Sequence, residues 1–211
     1  MNYITIEDKI YPNLLKNIYN PPKKLYYLGN INLINKFTIA IVGSRESSYY
    51  GNTISKEFAN DLSKKGVIIV SGLARGIDKY AHIGAGKNTI AVLGCGINII
   101  YPGENRKLYE NIIKAGGLII SEYDINTPPY KSNFIARNRI ISGISNGVIV
   151  VEAKKKSGTF STVDFALEQG KNVFAIPGPI NSLKSEGTNE LIKQGAKMVT
   201  NINDILEEYI M

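Results

Sequence analysis

Residues 38–72 read TIAIVGSRESSYYGNTISKEFANDLSKKGVIIVSG, in which two short apolar runs, TIAIVG and VIIVSG, flank an amphipathic stretch. Each run is continuously apolar rather than alternating, which marks a strand buried on both faces, as in a parallel sheet covered by helices. Between them Ile54, Phe58, Ala59 and Leu62 recur at helical spacing, so a helix is expected from Gly51 to Lys65, stopped by Gly66. Strand, helix and strand in this order form one βαβ unit.

The same rhythm continues outward. Further apolar runs are TIAVLG (Thr89 to Gly94), GLIISEY (Gly117 to Tyr123), GVIVVEA (Gly147 to Ala153) and NVFAIPG (Asn172 to Gly178). Helices are expected over Gly76 to Gly86, Glu104 to Ala115, Asn133 to Ser145, Thr159 to Gln169 and Thr188 to Gln194, with a last short one over Asn203 to Tyr209. The fold class is therefore α/β, a doubly wound, mostly parallel sheet of Rossmann-like type spanning 38–211. Residues 1–37, with Pro12, Pro21 and Pro22, read as an N-terminal lead-in of one short helix and an extended segment packed on that core.

Charge points to the partner. The 211 residues carry 25 Lys and Arg against 18 Asp and Glu, a net charge of +7 that favours a polyanion such as nucleic acid. A single cysteine, Cys95, excludes a disulfide framework or a cysteine-rich zinc site and suits a reducing compartment. No apolar run is long enough for a membrane span, and the start MNYITIEDKIYPNLL lacks the layout of a signal peptide, so a cytoplasmic protein without a membrane partner is expected.

In doubly wound folds ligands bind outside the carboxyl ends of the strands. The loops there include Gly43-Ser44-Arg45, Ser71 to Asp78 with Arg75, Gly94 to Asn98, Tyr101 to Asn105 and Lys154 to Thr159. Glycine-rich loops opening on helix N-termini present free N–H groups to phosphate. The segment FIARNRIISGIS, Phe134 to Ser145, adds Arg137 and Arg139 with no acidic residue, and Lys131 precedes it. At a two-residue spacing on a helix the two arginines diverge, so at most one is expected to face the cleft. Phe134 either stacks on a base or packs on the sheet.

Standard nucleotide motifs fail. Gly94-Cys95-Gly96 begins a dinucleotide fingerprint, but Ile99 stands where its third glycine belongs. Gly86-Lys87 ends like a P-loop, yet Ala81 and Asn88 replace the earlier glycine and the magnesium-binding hydroxyl. No cofactor or metal is expected. His82, the only histidine, and Cys95 read as packed structural residues, and Glu122 and Glu152 as loop-anchoring carboxylates.

Taken in order, IAIVGSR, SGLARGID followed by AH, TIAVLGCGINIIYPGEN, SEY, FIARNRII, VIVVEA, SGT and NVFAIPG, with GTNELIKQGA beyond, resemble the DNA-processing protein A family, also called DprA or Smf. The resemblance covers about Tyr11 to Val199. It implies a protein that is not an enzyme, that binds and protects incoming single-stranded DNA, and that helps to load the RecA recombinase in natural transformation or recombination. It also implies a homodimer, through the Val173 to Ala196 region. Carried over by position, the DNA-binding residues are Ser44, Arg45, Arg75, Lys131, Phe134, Arg137, Arg139, Lys155, Ser157, Gly158 and Thr159. Ile135 departs from the family's usual proline after this phenylalanine. The Rossmann-like part is expected without the C-terminal winged helix that many members carry.

One enzyme reading stands beside this. Lysine-decarboxylase-like Rossmann proteins that act as nucleoside-monophosphate phosphoribohydrolases also place a Gly-Thr loop before a helix. Their PGGxGTxxE pattern is only partly met, since Lys155-Lys156-Ser157-Gly158-Thr159 lacks the glycine pair and Thr162 occupies the acidic position.

Overall fold

The continuous apolar runs are explained by a sheet with a layer on each face. In the computed structural model, which describes residues 2–209, the lead-in supplies β1 (Asn2–Thr5), the short helix α1 (Asn13–Lys16) and β2 (Lys24–Gly29). The alternating part then runs β3 (Thr38–Val42), α2 (Tyr49–Lys64), β4 (Ile68–Ser71), α3 (Ile77–Ala85), β5 (Thr89–Val92), α4 (Arg106–Lys114), β6 (Leu118–Ser121) and α5 (Lys131–Gly143). It closes with β7 (Gly147–Val150), α6 (Thr159–Glu168), β8 (Asn172–Ala175), α7 (Glu186–Lys193), β9 (Lys197–Met198) and α8 (Asn203–Leu206).

All the strands join one sheet in the order β1-β2-β6-β5-β4-β3-β7-β8-β9. From β6 to β9 neighbouring strands are parallel, and the lead-in pairs antiparallel at the β6 edge. The lead-in thus does more than pack on the core: Tyr26 to Gly29 sit opposite Ser121 to Leu118 and occupy an edge that would otherwise expose unpaired backbone groups.

Alternate residues of each parallel strand enter opposite layers. Ala40, Val42, Val70, Val92, Ile120 and Val148 pack with Ile140, Ile141 and Val163 of α5 and α6, and with Leu15 and Leu25 of the lead-in. On the other face Ile39, Ile41, Ile69 and Ile149 meet Phe58, Leu62, Ile77 and Ala81 of α2 and α3, while Ala91 and Ile119 meet Tyr109 and Ile112 of α4. A strand sandwiched this way has no polar face, hence the unbroken apolar character.

Helix ends differ from the sequence-based expectation by a residue or a few. The largest functional effect is at α5, which starts at Lys131 because Pro128-Pro129 leads into an extended Tyr130 (φ −73°, ψ 141°). Lys131 is thereby a first-turn helix residue, sharing a face with Phe134, Asn138 and Ile141. The last helix ends at Leu206, short of Tyr209.

Candidate nucleic-acid interface

The chain leaves β3 toward β4, β5 and β6 on one side and returns through α5 to place β7 on the other side of β3. The loops after β3 and β7 therefore diverge at a switch point, where open α/β sheets leave a crevice. A groove of about 420 Å³ opens there. Its walls come from the β3–α2 loop (Ser44, Arg45, Glu46), from α5 (Lys131, Phe134, Asn138) and from the β7–α6 loop (Lys154, Ser157, Gly158, Thr159).

The β3–α2 loop is held by hydrogen bonds that do not engage the Arg45 side chain. The Ser44 N–H donates to Glu152 O at 2.7 Å, its carbonyl accepts from Ile77 N–H at 3.2 Å, and its Oγ accepts from Glu46 N–H at 3.1 Å. Gly76 (φ +67°) permits this approach, because a Cβ there would collide with the Ser44 carbonyl. The Glu152 carboxylate accepts from Ser48 N–H at 2.8 Å and from its hydroxyl, while the same hydroxyl caps α2 by accepting from Gly51 N–H. Arg45 is left exposed at the rim. Across the mouth Lys154 Nζ meets Glu46 Oε2 at 3.0 Å, a solvent-exposed pair.

Phe134 lies over Gly94, where a Cβ would stand only 2.6 Å from the ring, so this glycine is a seat for the aromatic. The Arg45 and Arg137 guanidinium carbons lie 5.8 and 5.9 Å from the ring centroid, within cation–π range. Beneath it Arg137 is buried, donating to Gly72 O at 2.9 Å and to Val92 O. Asp78, also buried, accepts from Gly72 N–H at 3.1 Å and Ala74 N–H at 3.4 Å. Burial pushes the Asp78 carboxyl up, against the pull of Arg137, and pulls the Arg137 guanidinium down to about 10, which leaves it charged at neutral pH. Arg137 thus underpins the groove floor and adds positive potential from below, with Nη1 spent on the two backbone carbonyls and Nε on Asn138 Oδ1.

Three residues expected at the site by sequence lie outside the groove lining. Arg139 is on the opposite side of α5, where its guanidinium forks onto Glu122 at 2.7 and 2.6 Å and its Nε donates to Asn20 O. The helical twist over two residues carries it there. Arg75 is exposed and pairs with Glu104 at 2.9 Å. Lys155 is exposed on the β7–α6 loop, and Lys154 is the lysine that lines the groove. Conversely, Glu46 and Asn138 are groove residues that sequence reading left without a role, and Lys154 was read only as part of its basic loop, with Lys155 singled out instead. The Ser157 Oγ, buried in this wall, has no hydrogen-bond partner among the described residues.

His82, Cys95, Glu122 and Glu152 are tied into the fold. His82 is buried, its Nδ1 2.7 Å from Thr89 Oγ1 and its Nε2 accepting from Leu73 N–H at 3.3 Å. Thr89 already donates to Ile69 O, so Nδ1 carries the proton and the ring is neutral. Desolvation pulls its pKa down to about 3. Burial pushes the Cys95 thiol up to about 11. Glu122 and Glu152 anchor Arg139 and Ser48, matching their reading as structural carboxylates. Among the described residues no three His, Cys, Asp or Glu side chains gather as a metal site, and no helix is long and apolar enough to cross a membrane.

The sequence matches the family described as DNA recombination-mediator protein A over residues 2–210. It is 45% identical over 207 residues to protein Smf of Escherichia coli, an alignment covering 97% of this chain and 55% of that protein. The chain thus spans about half the length of that relative, and 73% of DNA processing protein DprA of Streptococcus pneumoniae, to which it is 44% identical. The solved structure of the S. pneumoniae protein superposes with a TM-score of 0.94 at 42% identity, covering all of this chain and 75% of that one. DNA processing protein A from Helicobacter pylori, whose structure concerns a single-stranded DNA binding mode, gives a TM-score of 0.89 at 36% identity, covering 98% and 94% of the two chains.

Proposed function

The chain belongs to the DNA recombination-mediator protein A family, and on that premise we propose that it binds single-stranded DNA in the switch-point groove. The observation that carries this reading is the convergence of Arg45, Lys131 and Lys154 around an aromatic, Phe134, on one open groove. Cations along a path, with a ring for a base to stack on, are what a sequence-tolerant single-strand site requires. Arg45, Lys131 and Lys154 bind phosphates, Phe134 stacks a base, and Ser44 with the Ser157-Gly158-Thr159 loop supplies polar contacts at the start of α6. Arg137 acts from beneath the floor. In the cell the protein works in the cytoplasm as a homodimer through the Val173 to Ala196 region, protecting incoming strands and handing them to RecA without itself catalysing a reaction.

Fluorescence anisotropy with a labelled oligonucleotide tests the binding. If Arg45, Lys131 and Lys154 each neutralise one phosphate, log affinity falls with log salt at a slope of about −2. Arg45→Glu removes one cation and adds a repelling charge, so affinity drops by roughly 2–3 kcal/mol, while the thermal midpoint stays put because the side chain is exposed. Failure to bind at low salt, or tighter binding of blunt duplex than of single strand, overturns the proposal. Handover is tested separately, by following RecA filament growth on single strands with and without the protein.

A further inference from the structure

Phe134 does not stand alone at the carboxyl ends of the strands. The ring of Tyr101, on the loop between β5 and α4, lies 5.2 Å from it, centroid to centroid, at an interplanar angle of 43°. Tyr101 is 44% exposed. A tyrosine placed only to fill the core would be covered and would bond its hydroxyl, as Tyr109 does by donating to Ile97 O at 2.7 Å.

The loop that carries Tyr101 is tied to the Arg75 loop. Buried Asn105 donates from its amide to Leu73 O at 2.9 Å and to Ala74 O at 3.2 Å, and Glu104 pairs with Arg75. Leu73 holds a left-handed conformation (φ 58°) that the His82 and Asn105 bonds maintain. The aromatic surface begun by Phe134 is therefore continued by Tyr101, and a cation, Arg75, stands next along the same fixed pair of loops.

We infer that Tyr101 is a second base-stacking platform, and that the bound strand runs from the Arg45–Lys154 mouth over Phe134 and Tyr101 toward Arg75, so that the site takes consecutive nucleotides of one strand. This rests on the single-strand reading of the groove. It gives Arg75 a phosphate contact beyond the groove proper and makes Glu104 its competitor for that phosphate.

The test compares wild type, Tyr101→Ala, Tyr101→Phe and Glu104→Gln by anisotropy with fluorescein-labelled oligothymidylate, with thermal melts as the folding control. Loss of one stacked base weakens Tyr101→Ala roughly tenfold, while Tyr101→Phe stays within about threefold. Glu104→Gln binds more tightly, and its salt slope steepens by about 0.7 as Arg75 is released to a phosphate. Ultraviolet irradiation of wild type with a 5-iododeoxyuridine oligonucleotide yields an adduct on the Tyr101 peptide. A folded Tyr101→Ala with wild-type affinity, alongside an Arg45→Glu that has lost it, overturns the inference and leaves the groove proposal standing. Absence of any wild-type binding fails the groove proposal itself.

Discussion

The two sides of α5 face positive charge in opposite settings. Toward the lead-in, Arg139 is neutralised by a bidentate Glu122 and shielded from water, with side-chain exposures of 10% and 15%. Toward the groove, Arg45 and Lys131 are exposed, and the nearest acid to Lys154, Glu46, is itself 79% exposed and easily displaced. An ion pair with both partners dry is part of the fold, whereas a cation whose partner is wet can exchange that partner for a phosphate at little cost. Position in a motif does not separate the two kinds of charge; the carboxylate each one meets does.

The strongest way to break this contrast is to remove one half of the shielded pair. Arg139→Ala or Glu122→Ala leaves a buried unpaired charge, and chemical denaturation is expected to show a loss of about 3–5 kcal/mol, with the surviving folded protein binding single strands as before. If either variant melts normally but fails to bind, Arg139 belongs to the interface after all.

Acid sharpens it from the groove side. His82 beneath the Leu73 loop has its folded pKa depressed to about 3 from an ordinary 6.5, so the unfolded chain takes up a proton that the folded one refuses. Its contribution to stability is complete above pH 6.5 and falls on acidification, by roughly 2.5 kcal/mol at pH about 4.5. Protonation would point a second N–H at the Leu73 N–H donor, so the loop that borders the groove is what opens. Melts of His82→Asn against pH are expected to be flatter in this window than those of wild type.

Phe134→Ala tests the aromatic on the groove face, with an expected loss of roughly 1–3 kcal/mol in single-strand affinity. The smallest effect is at the exposed pair: Glu46→Gln frees Lys154 and tightens binding by less than about 1 kcal/mol, most visibly at low salt in a titration series.

The buried parallel strands were legible because both faces are apolar; Ile39 and Ala40 enter opposite layers, and nothing polar interrupts the run. The antiparallel β2 was not, because its partner β6 lies far along the chain and its burial is mixed. At the groove, the place of Arg45 was legible from the loop after β3, whereas pattern alone left Phe134 open between the groove and the sheet, and only the family resemblance pointed it to the groove. That the two α5 arginines diverge follows from helical geometry, but which one meets Glu122 depends on where β6 sits in the sheet, which local pattern does not give. The choice of Lys154 over Lys155 is set by how the chain leaves Ala153, whose N–H donates to Lys184 O.

The antiparallel seam between β2 and β6 also has a consequence in time. Tyr26 bonds through its hydroxyl to Asp124, 98 residues further on, so on the ribosome the start of the chain emerges well before the strand it will join exists. At about 5–20 residues per second, β2 waits on the order of 5–20 s with its β6-facing edge unpaired. The register of the finished edge is decided only after α4 and β6 have been made.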